Sequence, residues 1–246
     1  MDHIAAAQAL VEQKFPDCDA AFLVGSTVRS EATPTSDLDI VVISRSATAP
    51  YQEGMKAFGW PIDVVFHTES SYRKFFKIDV LRRRPVLAYM INEGVILKNK
   101  DGYAYRVKED AKEALAAGPA PLTAGEIMGS RHELTKLYDD FTSSTSRIES
   151  LILGADLAYI ALEFVLSFNC QWMGDGKWAV RALRDYSPEL ADEFLRALED
   201  FYQRNQKDGL ARFAQNILDA AGGRTSEEYI LGRKPLVEAE ELGIIG

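Results

Sequence analysis

The sequence predicts an α+β protein in which a domain containing a β-sheet precedes a domain of α-helices. In the first hundred residues, apolar segments of strand length alternate with helical patterns, whereas only amphipathic helical patterns follow residue 123. Between the two regions lies Gly118-Pro119-Ala120-Pro121, a stiff segment that a helix does not easily cross. We therefore expect one domain over residues 1–118 and a second over residues 119–246.

The first domain is expected to combine helices with strands of a mixed sheet. An N-terminal helix is predicted near residues 2–14, and one helical stretch is predicted near residues 70–92. Short apolar segments predict the four strands AFLVG, DIVVIS, PIDVVFH and GVILKN. The segment Lys98–Gly102 has the composition of a turn and closes the last of these strands.

The second domain is expected to be a helical bundle. Thr123 and Glu126 have the spacing of a capping box, and Ser187 followed by Pro188 is typical of a helix start. The periodicity predicts helices over about 123–142, 145–171, 175–185, 187–204 and 207–221.

Composition and charge exclude several classes of function. The 246 residues are 47% hydrophobic and carry a formal net charge of -9, which argues against binding of long DNA or RNA. The N-terminus lacks the basic and apolar regions of a signal peptide, and two acids, Asp156 and Glu163, interrupt the most apolar segment. We therefore expect a cytoplasmic protein that does not bind or span a membrane.

Three aspartates lie in or beside apolar strands, where a carboxylate has no packing value. Asp37 and Asp39 are two residues apart at the start of DIVVIS, so their side chains are expected to project from the same side of the strand. Asp63 lies inside PIDVVFH. Carboxylates together with substrate phosphates are the usual ligands of Mg²⁺, and three acids on adjacent strands make a site for two Mg²⁺ ions feasible.

The residues before these acids have the chemistry of a phosphate site. Gly25 and Ser26 follow an apolar strand, so backbone N–H groups and the Ser26 hydroxyl can approach a phosphate. Arg29 follows one helical turn later and can bind another phosphate oxygen through its guanidinium. Ser36 directly precedes the first acid, and its hydroxyl can donate a hydrogen bond to the same chain of phosphates, as in a triphosphate.

The order of these residues resembles the signature of the DNA polymerase β-like nucleotidyltransferase superfamily, in particular its small bacterial members. The shared pattern is Gly25-Ser26, ten residues, Asp37-x-Asp39, an apolar strand, and then Asp63 within another apolar strand. The resemblance covers about residues 20–102. It implies that Gly25, Ser26 and Arg29 bind the nucleoside triphosphate and that the three aspartates bind the metal.

The resemblance also implies a reaction. Such an enzyme transfers a nucleoside monophosphate, most simply AMP from ATP, to a hydroxyl group and releases pyrophosphate. Catalysis depends on positioning and on charge neutralisation, with Mg²⁺ as the cofactor and two ions expected. For Asp63 two roles stay open: it ligates the catalytic metal, or it also accepts the proton of the acceptor hydroxyl.

The acceptor must be inferred from the second domain. Glu149, Asp156 and Glu163 recur at intervals of seven on the predicted helix, and the surrounding apolar residues predict that most of the helix circumference, including Ile148 and Ile152, is buried. The acids then form either a thin solvent-exposed strip or the lining of an acceptor-binding cleft against the nucleotidyltransferase domain. Such a cleft would suit a small hydroxylated, cationic acceptor.

In its overall organisation the chain resembles the aminoglycoside and lincosamide nucleotidyltransferases, which implies antibiotic modification. Lys177, in the Gly-flanked loop GDGKW, is similar to the lysine that some of these enzymes place on the triphosphate; the alternative is a turn with a solvated lysine.

Other functions remain open at this stage. A protein side chain or an RNA end could be the acceptor, as in toxin–antitoxin and tRNA-type nucleotidyltransferases, or the chain could be a non-catalytic nucleotide-binding module. The oligomeric state is also open, and a homodimer is one of the alternatives.

Overall fold

The computed structural model describes residues 1–28 and 37–225 of the chain. The chain divides into two compact units. The first, here called the sheet unit, consists of Met1–Pro119 together with Trp172–Gly174. The second, here called the helical unit, consists of Ala120–Gln171 and Asp175–Gly246.

The sheet unit contains five strands and four α-helices within its described residues. The strands are β1 (Ala20–Val24), β2 (Leu38–Ser44), β3 (Tyr51–Ala57), β4 (Trp60–Thr68) and β5 (Val95–Asn99). The helices are α1 (His3–Lys14), α2 (Glu69–Leu81), α3 (Val86–Glu93) and α4 (Tyr103–Ala116), and a short 3₁₀ turn covers Lys100–Gly102.

The strands form one mixed sheet in the order β3-β4-β2-β1-β5. Strands β2 and β4 are parallel, and the other neighbouring pairs are antiparallel. A mixed sheet followed by helices confirms the predicted α+β class.

Each face of the sheet is covered by an apolar core. Helix α1 packs on one face, against Leu23, Ile40, Val64 and their neighbours. Helices α2, α3 and α4 pack on the other face, against Phe22, Val41, Ile43 and their neighbours. Alternate residues of a strand point to opposite faces. Val41 and Ile43 follow Asp39 at intervals of two and pack on the second face, so Asp39 projects from this face as well.

The structure corrects one expectation for this unit and adds two elements that were not predicted. The helical stretch near residues 70–92 is two helices, because the chain leaves α2 at Arg82 and Pro85 precedes α3. Strand β3 was not predicted, since it is a half-exposed edge strand with a glycine at its centre. Helix α4 was not predicted either, because its buried face consists of small and aromatic residues in a highly charged segment: Tyr103, Ala104, Val107 and Ala111.

The helical unit contains the five predicted helices. They are α5 (Ala124–Ser143), α6 (Arg147–Phe168), α7 (Lys177–Tyr186), α8 (Pro188–Arg204) and α9 (Asp208–Ala220). The capping box of Thr123 and Glu126 is present, and Ser187 caps α8 with Pro188 in its first turn.

Helices α6 and α8 approach each other closely at Gly154. A Cβ atom placed on Gly154 would lie 2.3 Å from Cε1 of Phe201 and 3.1 Å from Cε2 of Phe141. The Phe141 and Phe201 rings pack edge to face with their centroids 5.0 Å apart. The absence of a side chain at Gly154 therefore lets this aromatic pair fill the core of the unit.

Helix α6 is less buried than its sequence suggests. Ile148 and Ile152 are 79% and 65% exposed, which contradicts the expectation that the apolar flanks of the acidic stripe are buried. The exposed face is wider because the neighbouring helices cover the side of α6 that carries Leu157, Ala161 and Phe164. Among the described helices, α6 alone is long and apolar enough to cross a membrane, and half of its most apolar stretch is buried in the protein.

Candidate active site

Two of the predicted acids lie opposite each other at one end of the sheet. In the parallel pairing of β2 with β4, Asp39 is the register partner of Asp63. Register partners in a sheet project from the same face, and adjacent strands are about 4.8 Å apart. Both residues are half-buried. The fold therefore brings two carboxylates side by side without burying them completely.

The turn after β1 brings a backbone segment close to Asp39. Val24 is the register partner of Asp39 in the antiparallel pairing of β1 with β2, and Gly25 follows directly. Gly25 has a φ of +79°, a conformation that favours glycine. A Cβ atom at this position would lie 2.1 Å from Oδ2 of Asp39. The carboxylate therefore occupies the space that any side chain at position 25 would need.

The other predicted residues of this site differ in how far the structure describes them. Ser26 is half-buried in the turn that follows β1, and Asp37 is exposed and directly precedes β2. Arg29 and Ser36, predicted to bind phosphate, lie outside the described residues.

The donor set fits a magnesium ion shared with a nucleotide. In residues 1–28 and 37–225, no three side chains of His, Cys, Asp or Glu form a group that could hold a metal ion by themselves. Mg²⁺ in nucleotide sites is commonly held by one or two carboxylates, with substrate phosphates and water completing the octahedron. The in-register pair of Asp39 and Asp63 has this chemistry.

A neighbour of Asp63 was not predicted from the sequence. Nε2 of Gln52, on β3, donates a hydrogen bond to Oδ2 of Asp63 at 2.8 Å. No local motif marks Gln52, because it lies on the edge strand that the sequence did not reveal.

A buried imidazole lies further along β4, on the same face as Asp63. His67 is 2% exposed, its Nδ1 is 3.0 Å from Oγ of Ser71, and its Nε2 has no hydrogen-bond partner among the described residues. Burial lowers the pKa of His67 from 6.5 to about 4. The folded protein therefore holds this imidazole neutral at pH values where the unfolded chain protonates it.

Stability is expected to fall as the pH decreases from about 6.5 to about 4. In this range the unfolded chain binds a proton at His67 that the folded protein excludes. The free energy of unfolding therefore has its full value, with respect to His67, above the unfolded pKa and decreases as the pH falls below it. At about 1.4 kcal/mol per unit of pKa, the loss attributable to His67 is about 3 kcal/mol. Urea unfolding at several pH values measures it. A His67→Gln variant should show a shallower pH dependence over this range; an unchanged slope would contradict the assignment to His67.

The helical unit contains a groove of about 490 Å³ between α5 and α6. Three carboxylates line it, and so do a lysine, a tyrosine and two apolar side chains: Glu133, Lys136, Leu137 and Asp140 of α5, and Asp156, Tyr159 and Ile160 of α6. Residues three and four apart share one face of a helix, so each helix contributes a single stripe. The volume is that of a small-molecule site.

Of the four site residues predicted in the helical unit, one lines this groove and three do not. Of the acidic stripe on α6, Asp156 lines the groove, whereas Glu149 is exposed and Glu163 is half-buried outside it. The stripe on α5 was missed, although its spacing of Glu133, Lys136 and Asp140 was visible in the sequence. Lys177 is exposed at the start of α7, with its Nζ 5.5 Å from the centroid of the Trp178 ring.

Comparison with known proteins supports a nucleotidyltransferase domain in the N-terminal part of the chain. Residues 9–87 match the family model of the nucleotidyltransferase domain. The match runs from α1 into α3 and contains the Gly25 turn and all three predicted aspartates. No curated protein matches the sequence.

A crystal structure of a nucleotidyltransferase-like protein from Exiguobacterium sibiricum 255-15 is similar to this chain. The similarity covers 89% of this chain and 75% of that one, with 13% sequence identity and a TM-score of 0.46. A similarity at this level supports no inference about function.

Proposed function

We propose that this protein is a Mg²⁺-dependent nucleotidyltransferase that transfers AMP from ATP to a hydroxyl group of a small cationic acceptor, such as an aminoglycoside antibiotic. The observation that carries the proposal is the pairing of Asp39 with Asp63 beside the Gly25 turn, inside the segment that matches the nucleotidyltransferase domain. In this proposal residues 1–118 are the nucleotidyltransferase domain and residues 119–246 bind the acceptor.

The residues of the sheet unit have distinct roles in the proposed reaction. Backbone N–H groups at Gly25 and the hydroxyl of Ser26 bind triphosphate oxygens. Asp39 and Asp63 would hold Mg²⁺, which when bound neutralises charge on the phosphates, and Asp37, two residues before Asp39 in the sequence, is proposed as a further ligand. Holding the triphosphate and the acceptor hydroxyl in one arrangement supplies much of the rate enhancement in a reaction of this kind.

The proposed step is an in-line substitution at the α-phosphorus of ATP. The acceptor oxygen forms a bond to this phosphorus, and the bond from phosphorus to the oxygen that bridges the α- and β-phosphates breaks. Pyrophosphate leaves with the electron pair of that bond, and the proton of the acceptor hydroxyl passes to a carboxylate of the acid pair.

The charge distribution supports a cationic acceptor. The sheet unit contains 15 Lys and Arg residues and 16 Asp and Glu residues, whereas the helical unit contains 13 and 21. The helical unit thus carries a net charge of -8 out of the total of -9. An acidic unit attracts amines and repels RNA, so an RNA acceptor is disfavoured.

We propose the groove between α5 and α6 as the acceptor site. Glu133, Asp140 and Asp156 can each accept a hydrogen bond from a protonated amine. Because Lys136 offsets only one of these three negative charges, the net charge of the groove is negative. Tyr159 and the apolar side chains of Leu137 and Ile160 offer surface to the ring carbons of a sugar or amine. This mixture fits a polyamine with a ring skeleton.

Acceptor-dependent pyrophosphate release tests the proposed function. The protein is incubated with ATP and Mg²⁺ and with aminoglycosides, lincosamides or RNA, and pyrophosphate is measured. The proposal expects turnover with cationic amines that carry hydroxyl groups. Turnover with RNA alone would assign a different acceptor class, and tight ATP binding without turnover would indicate a non-catalytic module.

Neutralising the groove is expected to weaken acceptor binding. Asp140→Asn and Asp156→Asn should each raise the acceptor KM about fivefold, because each removes a negative charge whose attraction for a protonated amine is worth about 1 kcal/mol in an exposed groove. The kcat value and the KM for ATP should change little. Glu149→Gln is the matched control, since Glu149 is an exposed acid of α6 outside the groove. Equal effects of all three variants would contradict the groove as the acceptor site.

A further inference from the structure

The edge strand β3 places one polar side chain against Asp63. In the antiparallel pairing of β3 with β4, Gly54 is the register partner of Asp63, and Gln52 is the register partner of Val65. Gln52 is thus the diagonal neighbour of Asp63 on the same face of the sheet, within reach of a long side chain. Its Nε2 lies 2.8 Å from Oδ2 of Asp63.

Gly54 leaves open space at the position directly across from Asp63. A Cβ atom on Gly54 would meet no heavy atom within 4 Å. No side chain at position 54 therefore packs against Asp63 from the edge strand. Within the described part of the chain, Gln52 is the one side chain that hydrogen-bonds to Asp63. Among the described side chains, this hydrogen bond is therefore the one that restricts rotation of the Asp63 carboxylate.

We infer that Gln52 is a positioning residue for Asp63, an inference that rests on the proposed function. The Gln52 amide is neutral, so it holds Oδ2 without cancelling the negative charge that Mg²⁺ or a proton requires. With Oδ2 engaged, Oδ1 is the oxygen that Asp63 presents to its ligand. Hydrogen bonds of this kind orient metal-ligating carboxylates, and their loss typically costs 10- to 100-fold in metal affinity or activity.

The alternative is a hydrogen bond that contributes only to strand pairing. A cross-strand pair of this type stabilises a sheet by about 0.2–1 kcal/mol. Loss of such a pair would change the unfolding midpoint slightly and would leave kcat and metal binding unchanged. The two roles therefore differ in what the removal of the amide does to the site.

The decisive variant is Gln52→Met, which keeps the length of the side chain and removes the donor. We expect kcat for pyrophosphate release to fall about tenfold while the KM for ATP changes by less than about twofold. A second readout does not depend on activity: the affinity for Mn²⁺, measured by electron paramagnetic resonance with a non-hydrolysable ATP analogue, should fall about tenfold. Gln52→Ala serves as the second variant if Gln52→Met does not fold.

Gln13→Met is the matched control, because Gln13 is an exposed glutamine on α1 of the same unit. It should leave kcat and Mn²⁺ affinity at their original values. If the unmodified protein shows no turnover but binds Mn²⁺ with the analogue, the proposed function fails and the Mn²⁺ measurement alone decides the role of Gln52. Unchanged Mn²⁺ affinity and unchanged kcat in Gln52→Met would overturn the inference.

Discussion

Replacing Asp39 or Asp63 by Asn is expected to lower turnover by about a hundredfold to a thousandfold, the range observed when one charge-stabilising group is lost from an active site. Asparagine keeps the shape of aspartate and removes the negative charge that Mg²⁺ requires of its ligand. Because the two side chains lie in register on β2 and β4, each variant removes half of the charge that the pair presents. The measurement is kcat for acceptor-dependent pyrophosphate release.

The control for these variants is Asp17→Asn. Asp17 is an exposed acid of the sheet unit that lies before β1, away from the acid pair in the sequence. It should retain full activity, and all three variants should keep the circular dichroism of the unmodified protein. Asp39→Asn or Asp63→Asn with more than half of the original turnover would contradict the role of the acid pair.

A methyl group at position 25 is expected to reduce kcat/KM for ATP by about a hundredfold. In Gly25→Ala the new Cβ would have to displace the Asp39 carboxylate, whose Oδ2 lies 2.1 Å from its position. Moving a catalytic group by about 1 Å is enough to cost about a hundredfold in rate. The positive φ of +79° adds about 1 kcal/mol of backbone strain for alanine. Steady-state kinetics measures the loss of kcat/KM, and an ATP titration measures the change in ATP affinity separately.

The chain offers a control that separates strain from displacement. Gly59 has a φ of +87°, and a Cβ atom on it would meet nothing within 4 Å. Gly59→Ala should therefore incur the same backbone strain as Gly25→Ala and keep its activity. If both variants lose activity equally, the loss at position 25 comes from strain and not from displacement of Asp39.

Much of the fold was predictable because its helices and buried strands carry strong local patterns. The segments around β1 and β2 contain continuous apolar runs, β4 contains an apolar run on each side of Asp63, and α5 and α8 begin with capping residues that the sequence displays. Strand β3 was missed because an exposed edge strand needs no continuous apolar face. The stretch near residues 70–92 was predicted without its division into α2 and α3, although Pro85 marks the point where a helix ends.

The candidate site could be predicted as a set of residue types but not as a geometry. The spacing of Asp37 and Asp39 is local in the sequence. The register of Asp39 with Asp63, in contrast, depends on pairing between β2 and β4, which are neighbours in the sheet but have β3 between them in the sequence. The close approach of Gly25 to Asp39 and the hydrogen bond from Gln52 are likewise non-local. Exposure of Ile148 and Ile152 was mispredicted because the neighbouring helices, and not the periodicity of α6, decide which side of it is covered.

Transfer of a label from the α-phosphate of ATP to the acceptor distinguishes a nucleotidyltransferase from a protein that only binds or hydrolyses ATP. The protein is incubated with Mg²⁺, ATP labelled at the α-phosphate, and the acceptor that supports the fastest pyrophosphate release, and the acceptor is then isolated and analysed by mass spectrometry. We predict that the acceptor gains one labelled adenylyl group for each pyrophosphate released, and that Asp39→Asn nearly abolishes this transfer. Label that ends in free AMP, with none on the acceptor, would contradict this prediction, because the pyrophosphate would then come from hydrolysis of ATP.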